Sequence, residues 1–268
     1  MAQARPIRFL AIAGSDSCGG AGIQADIKTA AALGAYAMTA ITAVTAQDTQ
    51  GVHAIHLMPA DLVAAQIRAC LDDIGADAIK IGMLGSAEIA RAVAKALRGY
   101  AATIPVVLDP VLASTSGTLF LDEAGRQVLR EDLLPLAAIV TPNLSEAEIL
   151  TGIACADDDG IRRAGKALLA MGPKSVLVKG GHGNTEILVD TLFTSNHSEI
   201  FSAPHIDTPH THGTGCTYAS AIAIELAKGR AVADAVNRAH AFVHAAIVDA
   251  LSFGSGHGPL NHMHGKDG

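Results

Sequence analysis

The sequence predicts an α/β fold with a mostly parallel central sheet. Short apolar runs rich in β-branched residues alternate with helical stretches along the whole 268-residue chain, a pattern typical of parallel sheets covered by helices. The first run, 7–13, leads into a glycine-rich loop and then a helical stretch, which is how such a unit begins. No linker, repeat or low-complexity segment interrupts the pattern. A single domain over 1–268 is therefore expected, with a loop-like tail from about residue 253.

The individual elements follow from apolar periodicity and from the residues that begin or end helices. Gly34 and Pro135 follow helical stretches that they end, and Ser86 is a suitable N-cap for the helix after it. The last two predicted strands form a hairpin with Asn196 near its turn. Strands are predicted at 7–13, 38–46, 77–84, 104–111, 138–141, 175–178, 186–194 and 197–203, and helices at 23–33, 59–74, 86–99, 122–134, 157–171, 218–226 and 231–251.

Composition and charge restrict the classes of function. Half of the residues are apolar, few are aromatic and Trp is absent, which favours close packing of helices on a sheet. The formal net charge of −7 and the lack of a basic run argue against a nucleic-acid partner. The apolar run 9–13 is too short for a signal peptide, and no stretch approaches the roughly 20 apolar residues that span a bilayer. Four widely spaced cysteines are expected to be reduced thiols. We therefore expect a cytoplasmic protein without a membrane partner.

A glycine-flanked helix start dominates the C-terminal third of the chain. Gly213 and Gly215 precede an apolar segment that ends at Gly229. The first N–H groups of a helix have no intrahelical partner and carry the positive end of its dipole, so they favour an anion. Cys216 lies in this first turn, where the same field favours a thiolate able to accept a proton. A buried, inert packing cysteine is the alternative.

Polar residues also lie at the C-terminal ends of three predicted strands, where parallel sheets bind ligands. Asp109 is a candidate for a magnesium or phosphate region, and Lys179, beside two glycines, is placed to meet a phosphate. Asn143 and Glu146 face one another across a helix start and could serve one metal–phosphate unit. The same pair could be an ordinary helix cap.

The N-terminal half offers weaker signals. Gln47 follows a strand, and its side-chain amide could pair with the edge of a heterocycle, although the residues alone favour a surface loop residue. The loop from Gly14 to Gly22 lacks both the P-loop and the dinucleotide-binding spacing, so a tight turn is the simple interpretation. His240 and His244 have a zinc-ligand spacing but no evident third ligand.

Six separated motifs together resemble one family. The segment 211–217, THGTGCT, is similar to the anion-hole motif of the ribokinase-like superfamily, in the branch of hydroxymethylpyrimidine and phosphomethylpyrimidine kinases, where a cysteine occupies the position of the aspartate base of sugar kinases. The other five motifs occur in the order of the family. They are AGSDSCGGAG at 13–22, Gln47, KIGM at 80–83, NLSE at 143–146 and KGGH at 179–182. The resemblance implies a three-layer αβα fold and an ATP-dependent, magnesium-assisted kinase.

The resemblance also implies roles for individual residues. The segment 114–117 is similar to the loop that covers substrate in the family. The resemblance to the family implies a homodimer as well, because related kinases are commonly dimers. The implied catalytic residues are Gly213, Thr214, Gly215 and Cys216; the implied pyrimidine-binding residues are Gly14, Gly22, Asp26, Gln47 and Met83; Lys179, Asn143 and Thr211 would bind ATP, and Glu146 and Asp109 would bind Mg²⁺.

Three alternatives remain at this stage. A pyridoxal or pyridoxine kinase would use the same fold and chemistry, because its substrate ring also carries a hydroxymethyl group. A non-catalytic pyrimidine-binding protein would keep the fold without consuming ATP, which the retention of Lys179, Glu146 and Cys216 argues against. A cysteine-dependent hydrolase would use Cys216 as a covalent nucleophile.

Asp26 could also be a solvated residue of a first helical turn.

Overall fold

A computed structural model of the protein describes residues 5–113, 119–180 and 186–265. The predicted covering loop at 114–117 and the second half of the KGGH motif, 181–182, lie outside the described residues. Within them, nine strands form one sheet in the order β3-β2-β1-β4-β5-β6-β7-β8-β9. The strands are β1 Ile7–Ser15, β2 Ala35–Gln47, β3 Val52–Leu57, β4 Ala78–Ile81, β5 Val106–Leu108, β6 Ile139–Val140, β7 Ser175–Val178, β8 Ile187–Thr194 and β9 Ser198–Pro204.

The centre of the sheet is parallel, as the alternation of strands and helices predicts. Strands β2, β1, β4, β5, β6 and β7 pair in parallel, whereas β3 at one edge and the β8–β9 hairpin at the other are antiparallel. Strand β3 was not predicted from the sequence. Because most of this edge strand is exposed, it lacks the alternation of buried and exposed residues that reveals a strand.

Eight α-helices in the described ranges connect these strands. A π-helical turn, Cys70–Ile74, continues the second helix, and the segment 129–136 continues the fourth. The Ser86 hydroxyl caps the third helix by accepting a hydrogen bond from the Ile89 N–H, as predicted. No helix in the described ranges is long and apolar enough to cross a membrane. The helices are α1 Gly22–Ala32, α2 Ala60–Ala69, α3 Ala87–Leu97, α4 Glu123–Val128, α5 Leu144–Thr151, α6 Asp158–Ala170, α7 Thr214–Ala227 and α8 Val232–Val248.

Two apolar cores, one on each face of the sheet, make the fold three-layered. Successive residues of β1 point to opposite faces, so Leu10 and Ile12 pack in the core beneath α2 to α6, while Phe9 and Ala11 pack in the core beneath α1, α7 and α8. All four are fully buried, and burying a large aliphatic or aromatic side chain stabilises a fold by about 1.5–3 kcal/mol. The predicted αβα arrangement is confirmed. The carboxyl ends of the parallel strands meet at one edge of the sheet, where the polar residues singled out from the sequence lie.

Candidate active site

A cavity of about 200 Å³ opens at this edge. It brings together eleven of the fourteen residues that the sequence analysis selected. These are Gly14, Gly22, Gln47, Met83, Asp109, Asn143, Glu146, Lys179, Gly213, Gly215 and Cys216. Residues separated by up to 202 positions in the sequence therefore line one space.

Three selected residues do not line this cavity. Asp26 was expected in the cavity wall, but its side chain is fully buried on the inner face of α1, where it pairs with Lys80 and accepts a hydrogen bond from Ser220. Thr211 is exposed, and its carbonyl accepts hydrogen bonds from both the hydroxyl and the N–H of Thr214. The polar groups of Thr214 thus shape the chain before α7.

Two glycines set the start of α7. Gly213 has φ = 89°, which a side chain rarely adopts, and a Cβ there would lie 1.8 Å from the Gly20 carbonyl oxygen. This conformation lets the helix begin at Thr214, four residues before the predicted apolar segment. A Cβ on Gly215 would lie 3.3 Å from Lys179 Nζ and 3.4 Å from Asp109 Oδ2. The bare backbone of the first turn therefore approaches a cation and a carboxylate closely.

Lys179 and Asp109 form an ion pair of 2.9 Å between Nζ and Oδ1. The Thr141 hydroxyl donates to the same carboxylate oxygen at 3.0 Å. Burial opposes the charge on Lys179, but the neighbouring carboxylates of Asp109 and Glu146 outweigh it and raise the Lys179 pKa. Lys179 is thus a fixed cation beside the N-terminus of α7, a combination that favours a phosphate.

Asn143 and Glu146 form a reciprocal cap of α5. The Glu146 N–H donates to Asn143 Oδ1 at 2.8 Å, and the Asn143 N–H donates to Glu146 Oε2 at 2.8 Å, which is a capping box. The ordinary-cap interpretation is therefore correct for the local structure. Both residues also line the cavity. Burial raises the pKa of Glu146 to about 7, and the charge of Lys179 opposes this rise.

Cys216 lies at the cavity as a half-buried side chain of the first turn of α7. Burial raises the pKa of its thiol to about 11; the charge of Lys80 opposes this rise, and the carboxylates of Asp26 and Asp109 add to it. The predicted preference for a thiolate is therefore wrong for the structure as it stands. The field of the helix start is outweighed by desolvation and two nearby negative charges.

Gln47, the last residue of β2, and Met83, which follows β4, both line the cavity. The Ser17 hydroxyl accepts from the Gln47 N–H at 2.8 Å and donates to the Gln47 carbonyl at 2.7 Å, which fixes the backbone at the strand end. The Gln47 amide lies 3.3 Å from both the Thr45 hydroxyl and His212 Nε2. Gly14 packs next to the Met83 sulfur, since a Cβ there would lie 3.1 Å from it.

Asp16 has no role predicted from the sequence, although its side chain organises the loop beside the cavity. Its carboxylate accepts hydrogen bonds from the N–H groups of Cys18, Gly20 and Ala21, and lies 2.9 Å from His212 Nε2. Burial works against the charged form, yet these bonds lower the pKa of Asp16 to about 2. The signal in the sequence was an aspartate placed directly before a run of small residues, a common turn-forming arrangement.

Lys80 was also missed as a structural residue. It is fully buried in β4, and a lysine is almost never buried without a partner. A lysine inside the apolar run DAIKIGML was therefore a visible sign of a buried ion pair. His240, by contrast, packs against Tyr218 with ring centroids 6.1 Å apart, and in the described part of the chain no cluster of three metal-ligating side chains includes His240 or His244.

The sequence and the fold are similar to those of known kinases. The family model described as phosphomethylpyrimidine kinase matches residues 16–261. A hydroxymethylpyrimidine/phosphomethylpyrimidine kinase of Streptomyces coelicolor is 47% identical over 96% of this chain and 94% of its own length. The solved phosphomethylpyrimidine kinase of Clostridium difficile is 42% identical, with a TM-score of 0.80 over 90% of this chain and 99% of its own. The solved ADP complex of Bacillus subtilis pyridoxal kinase is 38% identical, with a TM-score of 0.89 over 96% and 98%. The ribokinase-like architecture is thereby confirmed, and the chain belongs to the phosphomethylpyrimidine kinase family.

Proposed function

We propose that the protein transfers a phosphoryl group from ATP to 4-amino-5-hydroxymethyl-2-methylpyrimidine, and then a second one to the resulting monophosphate, as a step of thiamine biosynthesis. The observation that carries the proposal is the approach of Gly215, at the start of α7, to both Lys179 and Asp109 within the cavity that Gln47 also lines. A phosphate-binding region and a candidate heterocycle-binding amide thus share one space. Phosphoryl transfer requires mainly positioning and charge neutralisation, which such a site can supply.

Lys179 and the N–H groups at the start of α7 would hold the nucleotide phosphates. The carboxylates of Asp109 and Glu146 suit Mg²⁺, because this ion prefers oxygen ligands. The environment of Glu146 supports this fit. Burial raises the pKa of Glu146 to about 7, and a nearby divalent cation would favour the charged form of this carboxyl group. Bound Mg²⁺ would neutralise charge on the phosphates.

Gln47 would pair with the aminopyrimidine edge, because one side-chain amide offers both a donor and an acceptor. Its backbone is already fixed by Ser17, which reduces the entropy lost on binding. In the first step, the minor thiolate form of Cys216 would accept the proton of the substrate hydroxyl while that oxygen bonds to the γ-phosphorus of ATP and the bond from this phosphorus to ADP breaks. In the second step the nucleophile is already a phosphate, which needs no strong base.

A pyridoxal kinase is the second candidate function. It is favoured by the TM-score of 0.89 with the Bacillus subtilis pyridoxal kinase, against 0.80 with the Clostridium difficile phosphomethylpyrimidine kinase. Backbone similarity alone does not choose between two rings that both carry a hydroxymethyl group, because substrate choice depends on a few contacts in the site. The identity of 47% with the Streptomyces coelicolor relative favours the pyrimidine.

Phosphorus NMR of the purified protein with magnesium-ATP tests the proposal, with hydroxymethylpyrimidine and pyridoxal as parallel substrates. We expect the pyrimidine monophosphate to appear first and the diphosphate to follow. Phosphorylation of pyridoxal alone would show that the protein is a kinase but that the pyrimidine is not its substrate. Binding of the pyrimidine without turnover of either substrate would favour the non-catalytic binding protein.

Assembly as a homodimer is also part of the proposal. Edge strand β3 supports it, because Ile55 and Leu57 share one face of this strand and are 36% and 39% exposed. An exposed edge strand is a common place for another chain to bind. Light scattering coupled to size-exclusion chromatography should give twice the chain mass of 27.3 kDa, whereas the mass of a single chain would contradict the assembly.

A further inference from the structure

A cluster of three chemically different side chains lies beside the cavity. None of the three has a role in the phosphoryl transfer proposed above, although His212 Nε2 lies 3.3 Å from the Gln47 amide. His212 Nε2 lies 2.9 Å from Asp16 Oδ2, and Cys18 Sγ lies 3.4 Å from the same oxygen. All three atoms lie within 4.8 Å of one another. Within the described residues they form a compact nitrogen, oxygen and sulfur set, the types of atom that bind transition metals.

Two loops hold this cluster together. Backbone N–H groups of Gly20 and Ala21 donate to Asp16 at 3.1 and 2.8 Å, which fixes the carboxylate within its loop. The His212 N–H donates to the Gly258 carbonyl at 3.1 Å. The loops also pack tightly, because a Cβ on Gly20 would lie 2.4 Å from His212 Cδ2. The ligand atoms are therefore pre-positioned by backbone that α7 and the C-terminal segment support.

We propose that Asp16, Cys18 and His212 form a binding site for a borderline divalent metal ion, with Zn²⁺ as the best match. In a tetrahedral zinc site with bond lengths of about 2.0–2.3 Å, neighbouring ligand atoms lie about 3.3–3.8 Å apart. The distances of 2.9 and 3.4 Å already approach this spacing. Binding needs the ion to replace the proton of the Cys18 thiol, which passes to solvent, and the hydrogen bond between His212 and Asp16.

The fourth coordination position faces the cavity, because Asp16 and His212 both line it. Water would fill this position, as in zinc sites with three protein ligands. The site is separate in chemistry from the oxygen pair Asp109 and Glu146, since Mg²⁺ prefers oxygen ligands and a thiolate does not suit it. A bound ion would link the N-terminal loop directly to the residue before Gly213.

Cobalt(II) substitution tests the site without relying on kinase activity. Co²⁺ occupies zinc sites and gives a thiolate-to-cobalt charge-transfer absorption only when a cysteine is a ligand. The full-length protein, free of nucleotide and Mg²⁺, is titrated with Co²⁺, and then with Zn²⁺ to displace it. We expect one Co²⁺ per chain with a charge-transfer band that Zn²⁺ abolishes.

Single substitutions identify the ligands. Cys18→Ser should remove the band, and His212→Gln should weaken Co²⁺ binding at least tenfold while leaving a band at high Co²⁺. Cys70→Ser is the matched control, because Cys70 is similarly half-buried but packs against the core beneath α2 and does not line the cavity, and it should keep the band. A band that survives Cys18→Ser but disappears in Cys216→Ser would overturn the proposal by assigning the metal to the kinase site. No band in the unaltered protein at excess Co²⁺ would also overturn it.

Discussion

Lys80 and Asp26 form an ion pair of 2.9 Å in which neither side chain is exposed to solvent. Asp26 also accepts a hydrogen bond from the Ser220 hydroxyl of α7 at 2.7 Å. Burial alone would lower the pKa of Lys80, but the charge of Asp26 raises it. The pair therefore ties α1 and β4 to the helix that carries Cys216, and it places a fixed positive charge near that thiol.

Breaking this pair should destabilise the protein strongly. Asp26→Asn leaves the Lys80 ammonium buried without a counter-charge, which costs about 3–5 kcal/mol in free energy of unfolding. Asp159→Asn is the control, because Asp159 pairs with Arg162 and Arg163 on the exposed surface and such pairs contribute about 1 kcal/mol or less. Urea unfolding of both variants measures the difference. Equal losses would show that Lys80 is not held as a buried cation.

The double substitution Lys80→Met with Asp26→Leu tests the same ion pair by removing both charges together. Replacing a buried ion pair with apolar residues of similar volume is often nearly neutral, because the desolvation cost of both charges disappears. We expect it to recover most of the stability lost in Asp26→Asn.

Sequence periodicity predicted most of the sheet and the helices, because buried strands and helix starts leave local signals. Several residues of the cavity, such as Gly14, Gly22 and Met83, were expected there only because of the resemblance to the kinase family. Prediction from the sequence failed where the determining contact was distant in sequence. Asp26 looked like a residue of a first helical turn, and only its contact with Lys80, 54 positions away, shows why it is buried. The protonation of Cys216 was also misjudged, since the helix start is local but the desolvation and the charges of Asp26 and Asp109 come from the fold.

Glu146→Gln should separate the two roles of Glu146. Glutamine also suits this position of a capping box, so stability should change by less than about 1 kcal/mol. The loss of a carboxylate should raise the Mg²⁺ concentration needed for half-maximal activity about 10- to 100-fold. Initial rates over a Mg²⁺ titration, together with urea unfolding, measure both effects. An unchanged Mg²⁺ requirement would show that Glu146 caps α5 but does not bind Mg²⁺.

Gly215→Ala should weaken nucleotide binding without unfolding the protein. The added methyl would lie 3.3 Å from Lys179 Nζ and 3.4 Å from Asp109 Oδ2, which crowds the space proposed for the phosphates. We expect the KM for ATP to rise about tenfold, equivalent to about 1.4 kcal/mol. Gly99→Ala is the control, since nothing lies within 4 Å of a Cβ there. The same KM in both variants would contradict a phosphate beside Gly215.

Cys216→Ala should impair the first phosphorylation more than the second. The first step requires a proton to leave a hydroxyl, and removing a general base typically costs about 10²- to 10⁴-fold in rate. The second step starts from a phosphate, so its rate should fall less than about tenfold. Separate assays with hydroxymethylpyrimidine and with its monophosphate measure the two rates. Equal losses would contradict the role of Cys216 as a base.

The pH dependence of the two steps follows from the raised pKa of Cys216. With a pKa of about 11, the thiol is protonated near neutral pH, and its thiolate fraction rises about tenfold for each pH unit below that value. The first step should therefore accelerate up to about 100-fold between about pH 7.5 and about pH 9.5 where chemistry limits the rate. Saturating Mg²⁺ and a starting point above the Glu146 pKa of about 7 keep metal binding from contributing to the rise. The rate of the second step should change little with pH, and Cys216→Ala should remove the pH dependence of the first step. A first step that is equally flat in the unaltered protein would show that proton transfer to Cys216 does not limit it.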